Sequence, residues 1–191
     1  ATPMKRHIDA TMRAAMRAKS LVERILAFSR SGMGERVPVH VQSVVAEALD
    51  LVLASLPPRV RLRRELGSGH AAVLGDATQI HQVVMNLCAN AAQAMGTSPR
   101  GVTLDVTLRC QDITEPRSVS TSVLAPGRYV VLTVADSGVG IAPRVLEHMF
   151  DPFFTTKEIG VGTGLGLSLV HGIVTDLGGG IDVASELGRG S

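Results

Sequence analysis

Four short stretches of this 191-residue chain carry side chains that can do chemistry. The first, NLCANAAQAM, supplies Asn86 and Asn90, four residues apart. On a helix that spacing puts both carboxamides on one face, where their oxygens can hold a hard cation. The second, DSGVGI, sets Asp136 at the end of the apolar run YVVLTVA and follows it with Gly138 and Gly140. A carboxylate delivered there can accept a hydrogen bond from an amino group such as that of adenine, with the glycines shaping the turn beneath the base. The third, FDPFFTTK, ends on Lys157, a point charge suited to phosphate. The fourth, GTGLGLS, brings Gly162, Thr163, Gly164, Leu165 and Gly166 to the start of an apolar helical run. Glycines there let phosphate oxygens reach orphan N–H groups, and the helix dipole favours the negative charge. No G-K-[ST] follows, so this is not the Walker phosphate loop. Each stretch alone has an ordinary reading: D-x-G-x-G occurs in simple turns, paired asparagines on helix surfaces, and a lone lysine in solvent. In this order, the four together make a nucleotide site.

These motifs need a scaffold of strands ending in turns and helices beginning in glycine. VPVHV at 37–41 reads as a short strand, and QSVVAEALDLVLASL at 42–56 as an amphipathic helix stopped by Pro57 and Pro58. RVRLRREL at 59–66 alternates as a strand does, and AAVLG is a second short strand before Asp76, which can cap a long helix over 77–95. GVTLDVTLRC and RYVVLTVAD predict two longer strands separated by a polar, mobile loop at 111–127. A helix over 164–177 and a strand over 180–185 complete the order. Three helices alternating with a mixed, mostly antiparallel sheet give an α+β fold, a two-layer α/β sandwich.

Residues 4–30 differ from this pattern. Met4, His7, Thr11, Ala14, Ala18, Leu21, Ile25 and Phe28 recur in steps of three and four, a seam made for packing on another helix. Alone such a helix buries nothing, and SGMG at 31–34 ends it.

Composition narrows the function classes. With 45% hydrophobic residues the chain can build a core, and a net charge of +2 with no basic run does not argue for nucleic acid. One Tyr and no Trp leave few aromatic platforms for single strands, so DNA and RNA are not expected partners. Cys88 and Cys110, the latter placed at a strand end, have no metal-ligand spacing and read as reduced structural thiols. His81 and His171 read as packing or surface groups. No apolar run reaches the ~20 residues of a membrane span, so no membrane contact is expected of this piece.

Taken together, the four motifs resemble the ATP-binding catalytic domain of sensor histidine kinases, in the superfamily shared with gyrase, the Hsp90 chaperone and MutL. The resemblance runs from about Val39 to Ser191. It implies an ATP-dependent protein histidine kinase with ATP and Mg²⁺ as cofactors, Asp136 on the adenine amino group, and Asn90, joined by Asn86, on the metal. It also implies Lys157 on phosphate at the start of a flexible lid; Phe150, Phe153 and Phe154 can anchor that lid or dock it on a dimerisation helix, with a core role equally open to at least one of them. In the superfamily's ATP hydrolases the position of Asn86 carries a glutamate general base; an amide cannot take that proton, so slow hydrolysis and transfer to a presented imidazole are expected. Asn86 and Lys157 are the candidate catalytic residues.

The same resemblance divides the chain into a partial dimerisation and phosphotransfer helix, 1–34, and a catalytic domain, 35–191, whose final strand after SELGRGS is missing. LVERILAFSR looks like the end of the second dimerisation helix, implying a homodimer through the N-terminal helix and a response-regulator receiver domain as downstream partner. The first helix of the dimerisation hairpin, which bears the phosphoacceptor histidine, is not expected within this sequence. His7, in HIDA, lacks the acidic residue that usually follows the acceptor histidine. The expected setting is cytoplasmic, as the cytosolic part of a sensor that can itself be membrane-anchored. Alternatives are a nucleotide-binding signalling module without turnover and a serine kinase of the same superfamily.

Overall fold

The longest strand explains the layering. In the computed structural model, which describes residues 12, 36–96, 102–157 and 162–191, the strand Val102–Ile113 buries Val102, Leu104, Val106 and Leu108 on one face. This two-residue alternation turns one side of a sheet toward helices. In chain order the elements are β1 (Val37–His40), α1 (Val41–Ser55), β2 (Val60–Gly67), β3 (Ala72–Gly75), α2 (Ala77–Gly96), β4 (Val102–Ile113), β5 (Arg117–Ser118), β6 (Val123–Leu124), β7 (Gly127–Asp136), α3 (Pro143–Leu146) and α4 (Gly166–Asp176). Before residue 36 only Met12, which is not a seam residue, is described, helical and exposed; the eight seam residues, His7 among them, and the glycines at 31–34 lie outside the described residues.

The main sheet has the order β2–β4–β7. β2 runs parallel to β4, from Val60 opposite Val102 to Gly67 opposite Arg109, and β7 runs antiparallel to it, from Gly127 opposite Ile113 to Asp136 opposite Leu104. β1 and β3 form a separate antiparallel ribbon. Val45, Ala48, Leu49 and Val52 of α1 and Ile80, Val84, Cys88, Ala91 and Met95 of α2 pack with the buried face of β4 in one cluster. A second cluster joins Val83 of α2 to Leu169, Val170 and Ile173 of α4, with Leu132 of β7 packed against it. The α+β two-layer sandwich is the observed fold.

Local chemistry sets the helix ends. Asp76 Oδ1 accepts the Thr78 amide at 2.7 Å, the capping role expected of it. At the other end of α2 the Arg59 guanidinium donates to the carbonyls of Met95 (2.7 Å) and Gly96 (2.6 Å), satisfying acceptors that the helix leaves open.

Several expectations need correction. The segment 111–127 is not simply a loop: β4 continues to Ile113, and β5 and β6 pair as a small hairpin. Cys110 lies within β4 opposite Val130, and its thiol donates to the Ser68 carbonyl at 3.7 Å. The expected strand over 180–185 does not form. Its backbone is held by side chains instead, with the Ile181 amide on Thr121 Oγ1 (2.9 Å) and the Val183 amide on Ser120 Oγ (3.0 Å). α4 starts at Gly166, two residues later than expected, because Gly164 has a positive φ of 67° that ends any helical path.

Candidate functional site

Asp136 is the last residue of β7, and two fastenings hold the turn that follows it. Ser137 clamps the turn to the start of β4, its Oγ accepting the Thr103 amide at 2.9 Å and its own amide donating to the Thr103 carbonyl at 3.2 Å. From the other end of the domain, Ser191 pairs with the Asp136 backbone (2.9 and 3.3 Å), Ser185 Oγ accepts the Ile141 amide (2.8 Å), and the Gly188 amide donates to the Val139 carbonyl (2.8 Å). Ser185 and Ser191 thus position the turn, a role that sequence reading missed although SELGRGS stood out as a motif.

The Asp136 side chain turns inward. Oδ1 accepts the Gly138 amide at 2.7 Å. Burial pushes the carboxyl above its ordinary pKa, and that hydrogen bond draws it part of the way back. Gly138 is buried so tightly that a Cβ there would lie 2.6 Å from Asp136 Oδ1 and 2.8 Å from the Ala94 backbone of α2. Its missing side chain lets the turn lie directly on that helix. Gly140 abuts the backbone of Glu186 in the C-terminal turn.

On α2 the two asparagines have different settings. Asn86 Nδ2 donates to the Gln82 carbonyl one turn back (2.9 Å), which leaves Oδ1 facing the start of α4; a Cβ on Gly166 would meet it at 3.0 Å. Asn90 Oδ1 instead accepts from the Lys157 ammonium at 3.2 Å, a contact spanning 67 residues of sequence. Gln93 Oε1 accepts from the same ammonium. Gln93 was not among the candidates. Its signal was its position three residues after Asn90, on the same helical face.

The phenylalanine motif has three fates. The Phe150 ring lies against His171 of α4, with centroids 5.4 Å apart, and Phe154 lies against His148, which is hydrogen-bonded to Asp151. Phe153 is exposed and holds a φ of 68°, the left-handed region. Its amide donates to the Gly164 carbonyl (3.0 Å), and Gly164 lies so close to the Phe153 backbone that any Cβ would collide. The two motifs are therefore stitched backbone to backbone. Gly162 lies over the Lys157 stem, where a Cβ would fall 2.9 Å from Cδ. Thr163 Oγ1 is 3.5 Å from the Leu165 amide.

α4 begins at the N-cap Leu165, with no side-chain cap and no acidic residue in its first turn. Its 11 residues pack on α2 through Leu169 and Val170. An uncapped N-terminus with open backbone donors suits a phosphate. The Lys157 ammonium stands where a cation would sit on Asn90, so the oxygen is accessible to positive charge and the residues present fit a hard metal ion. Among the described residues no group of three or more His, Cys, Asp or Glu could hold a metal.

A family model described as histidine kinase-, DNA gyrase B-, and HSP90-like ATPase matches residues 75–191. The chain is 40% identical to the sensor kinase CckA of Brucella abortus over 93% of its own length and 18% of CckA. It is 33% identical to the sensory histidine kinase/phosphatase NtrB of Rhizobium leguminosarum, over 91% of this chain and 44% of NtrB. The chain therefore spans less than half the length of either relative. Among solved structures, the mycobacterial sensor histidine kinase MprB is similar with a TM-score of 0.56 and 25% identity, over 75% of this chain and 80% of that one.

Proposed function

This chain belongs to the histidine kinase-, DNA gyrase B- and HSP90-like ATPase family, and from that premise we propose that it is the catalytic domain of a sensor histidine kinase, passing the γ-phosphoryl of ATP to a histidine on a dimerisation helix. The observation that carries this reading is the Lys157–Asn90 contact, which joins the phenylalanine motif to the asparagine helix beside the uncapped start of α4. Asp136 receives the adenine amino group, and Gly138 lets the turn beneath the base lie directly on α2. Gly140, Gly162, Thr163, Gly164, Leu165 and Gly166 form the glycine-lined wall that follows the phosphates. Asn90, with Asn86 one turn before it, would hold Mg²⁺, which when bound would supply charge neutralisation on the phosphate oxygens.

Phosphoryl transfer asks little covalent help of protein groups, so positioning and charge carry the catalysis. Lys157 and the first amides of α4 provide it. Asn86 cannot act as a base toward water, and its hydrogen bond to Gln82 fixes it as an orienting group; this supports transfer over hydrolysis. Phe153, whose ring is exposed, docks on the acceptor helix in this reading. Residues 1–34 serve as part of a dimerisation hairpin, making the working form a homodimer, and the phosphohistidine passes its group to a receiver-domain aspartate. The domain works in the cytoplasm. Among the described residues no helix is long and apolar enough to cross a membrane.

The test uses γ-labelled ATP and Mg²⁺ with this chain and with the same chain extended upstream by one native helix. Acid-labile label on the longer form alone is expected. Label on the short form that disappears in His7→Ala would make His7 the acceptor. No label on either form, with nucleotide still bound, would favour a binding module without turnover.

A further inference from the structure

Asn86, Asn90 and Gln93 fall at positions i, i+4 and i+7 of α2, so Gln93 extends the carboxamide face beyond the two asparagines. The structure uses that extension. One ammonium, that of Lys157, is held between Asn90 Oδ1 and Gln93 Oε1. These two acceptors are neutral oxygens, and the lysine stem approaches them from beneath Gly162, its amide donating to Thr155 Oγ1 at 3.2 Å. The stem is guided and the head is seated. The Asn90 oxygen is also the one that a divalent cation would use, and an ammonium and a dication repel strongly at the spacing one oxygen allows.

We propose that Gln93 is a positioning residue of the nucleotide site: together with Asn90 it seats the Lys157 ammonium while no metal is bound, and Lys157 must leave Asn90 before a divalent cation can be held there. The inference rests on the proposed function for the destination of that cation. Gln93 then sets how readily the lysine is released. A stronger seat opposes metal loading, and a weaker one favours it.

The chain has three lysines, Lys5, Lys19 and Lys157, so ¹⁵N-lysine labelling yields a countable set of Nζ signals. In nucleotide-free protein, Gln93→Leu is expected to shift the Lys157 signal and raise its reactivity toward an amine-acylating reagent by about threefold, leaving Lys5 and Lys19 unchanged. With Mg²⁺ and a non-hydrolysable ATP analogue, the same variant is expected to bind about three- to fivefold tighter, as when a partly exposed hydrogen bond to a charged group need not be broken. That gain should vanish in a Lys157→Met background. A Lys157 signal and reactivity indifferent to Gln93→Leu would overturn the seat. So would weaker analogue binding that persists without Lys157, since Gln93 would then touch the nucleotide itself. If the unmodified chain binds no analogue, the proposed function fails, and the nucleotide-free comparison still decides the seat.

Discussion

In an Asp136→Asn variant the Gly138 amide keeps its acceptor, because the asparagine oxygen can take the place of Oδ1 at 2.7 Å. The second position changes from oxygen to NH₂, so a donor faces the adenine amino group where an acceptor stood. Loss of a hydrogen bond to a charged group costs about 1.5–3 kcal/mol, a weakening of roughly 10- to 150-fold. Stability should move the other way. Burial raises the Asp136 pKa, so the folded state binds its proton more tightly than the unfolded chain and wild-type stability falls as pH rises from about 3.9 through the raised value. Asparagine carries no such charge, so the variant's advantage in unfolding midpoint should appear over that window and persist above it. Calorimetric titration with a non-hydrolysable ATP analogue and Mg²⁺, paired with urea unfolding at several pH values, reads both effects. Affinity within twofold of wild type would sink the adenine assignment. An unfolding midpoint well below wild type at pH 7 would show that the carboxylate stabilises the fold, contrary to its burial.

Phe153→Gly should stabilise the domain by about 0.5–1 kcal/mol, as relief of a left-handed backbone exceeds the entropy that glycine adds to the unfolded chain, while transfer to an acceptor helix weakens; thermal melts and the label assay separate the two. Burial pushes the Cys88 thiol up to about 11, so a thiol-exchange reagent at pH 8 should modify Cys110 and leave Cys88 untouched until denaturant is added; mass mapping of the labelled peptides checks this.

The site motifs were legible because the residue types that make them are those that backbone geometry demands. Gly164 could be read from sequence as part of a phosphate-following loop, and the structure adds its positive φ and its contact with Phe153. Asp136 could be placed at a strand end because YVVLTVA is apolar but for Thr133 and the Tyr129 hydroxyl. What stayed hidden was non-local. GIDVAS alternates as a strand would, yet the hydroxyls of Ser120 and Thr121, some 60 residues earlier, take its amides. Gln93 was passed over because a glutamine among alanines has an ordinary surface reading, and only the return of Lys157 across 67 and 64 residues reveals what that face holds. The parallel pairing of β2 with β4 likewise depends on where α2 returns the chain, which no local pattern records.

The seven residues from Ser185 to Ser191 grip the turn at Asp136 by its backbone, while its side chain is the group that the proposed function offers to the base. One residue is thus a fulcrum between a terminal segment and the ligand. On the proposed function, a ligand that steadies the carboxylate should lower the opening frequency of the amides at Gly188 and Ser191, so that occupancy is felt by a stretch of chain about 50 positions away that need not touch the nucleotide. Slowed hydrogen exchange at those two amides would make the tail a passive gauge of whether the base is in place.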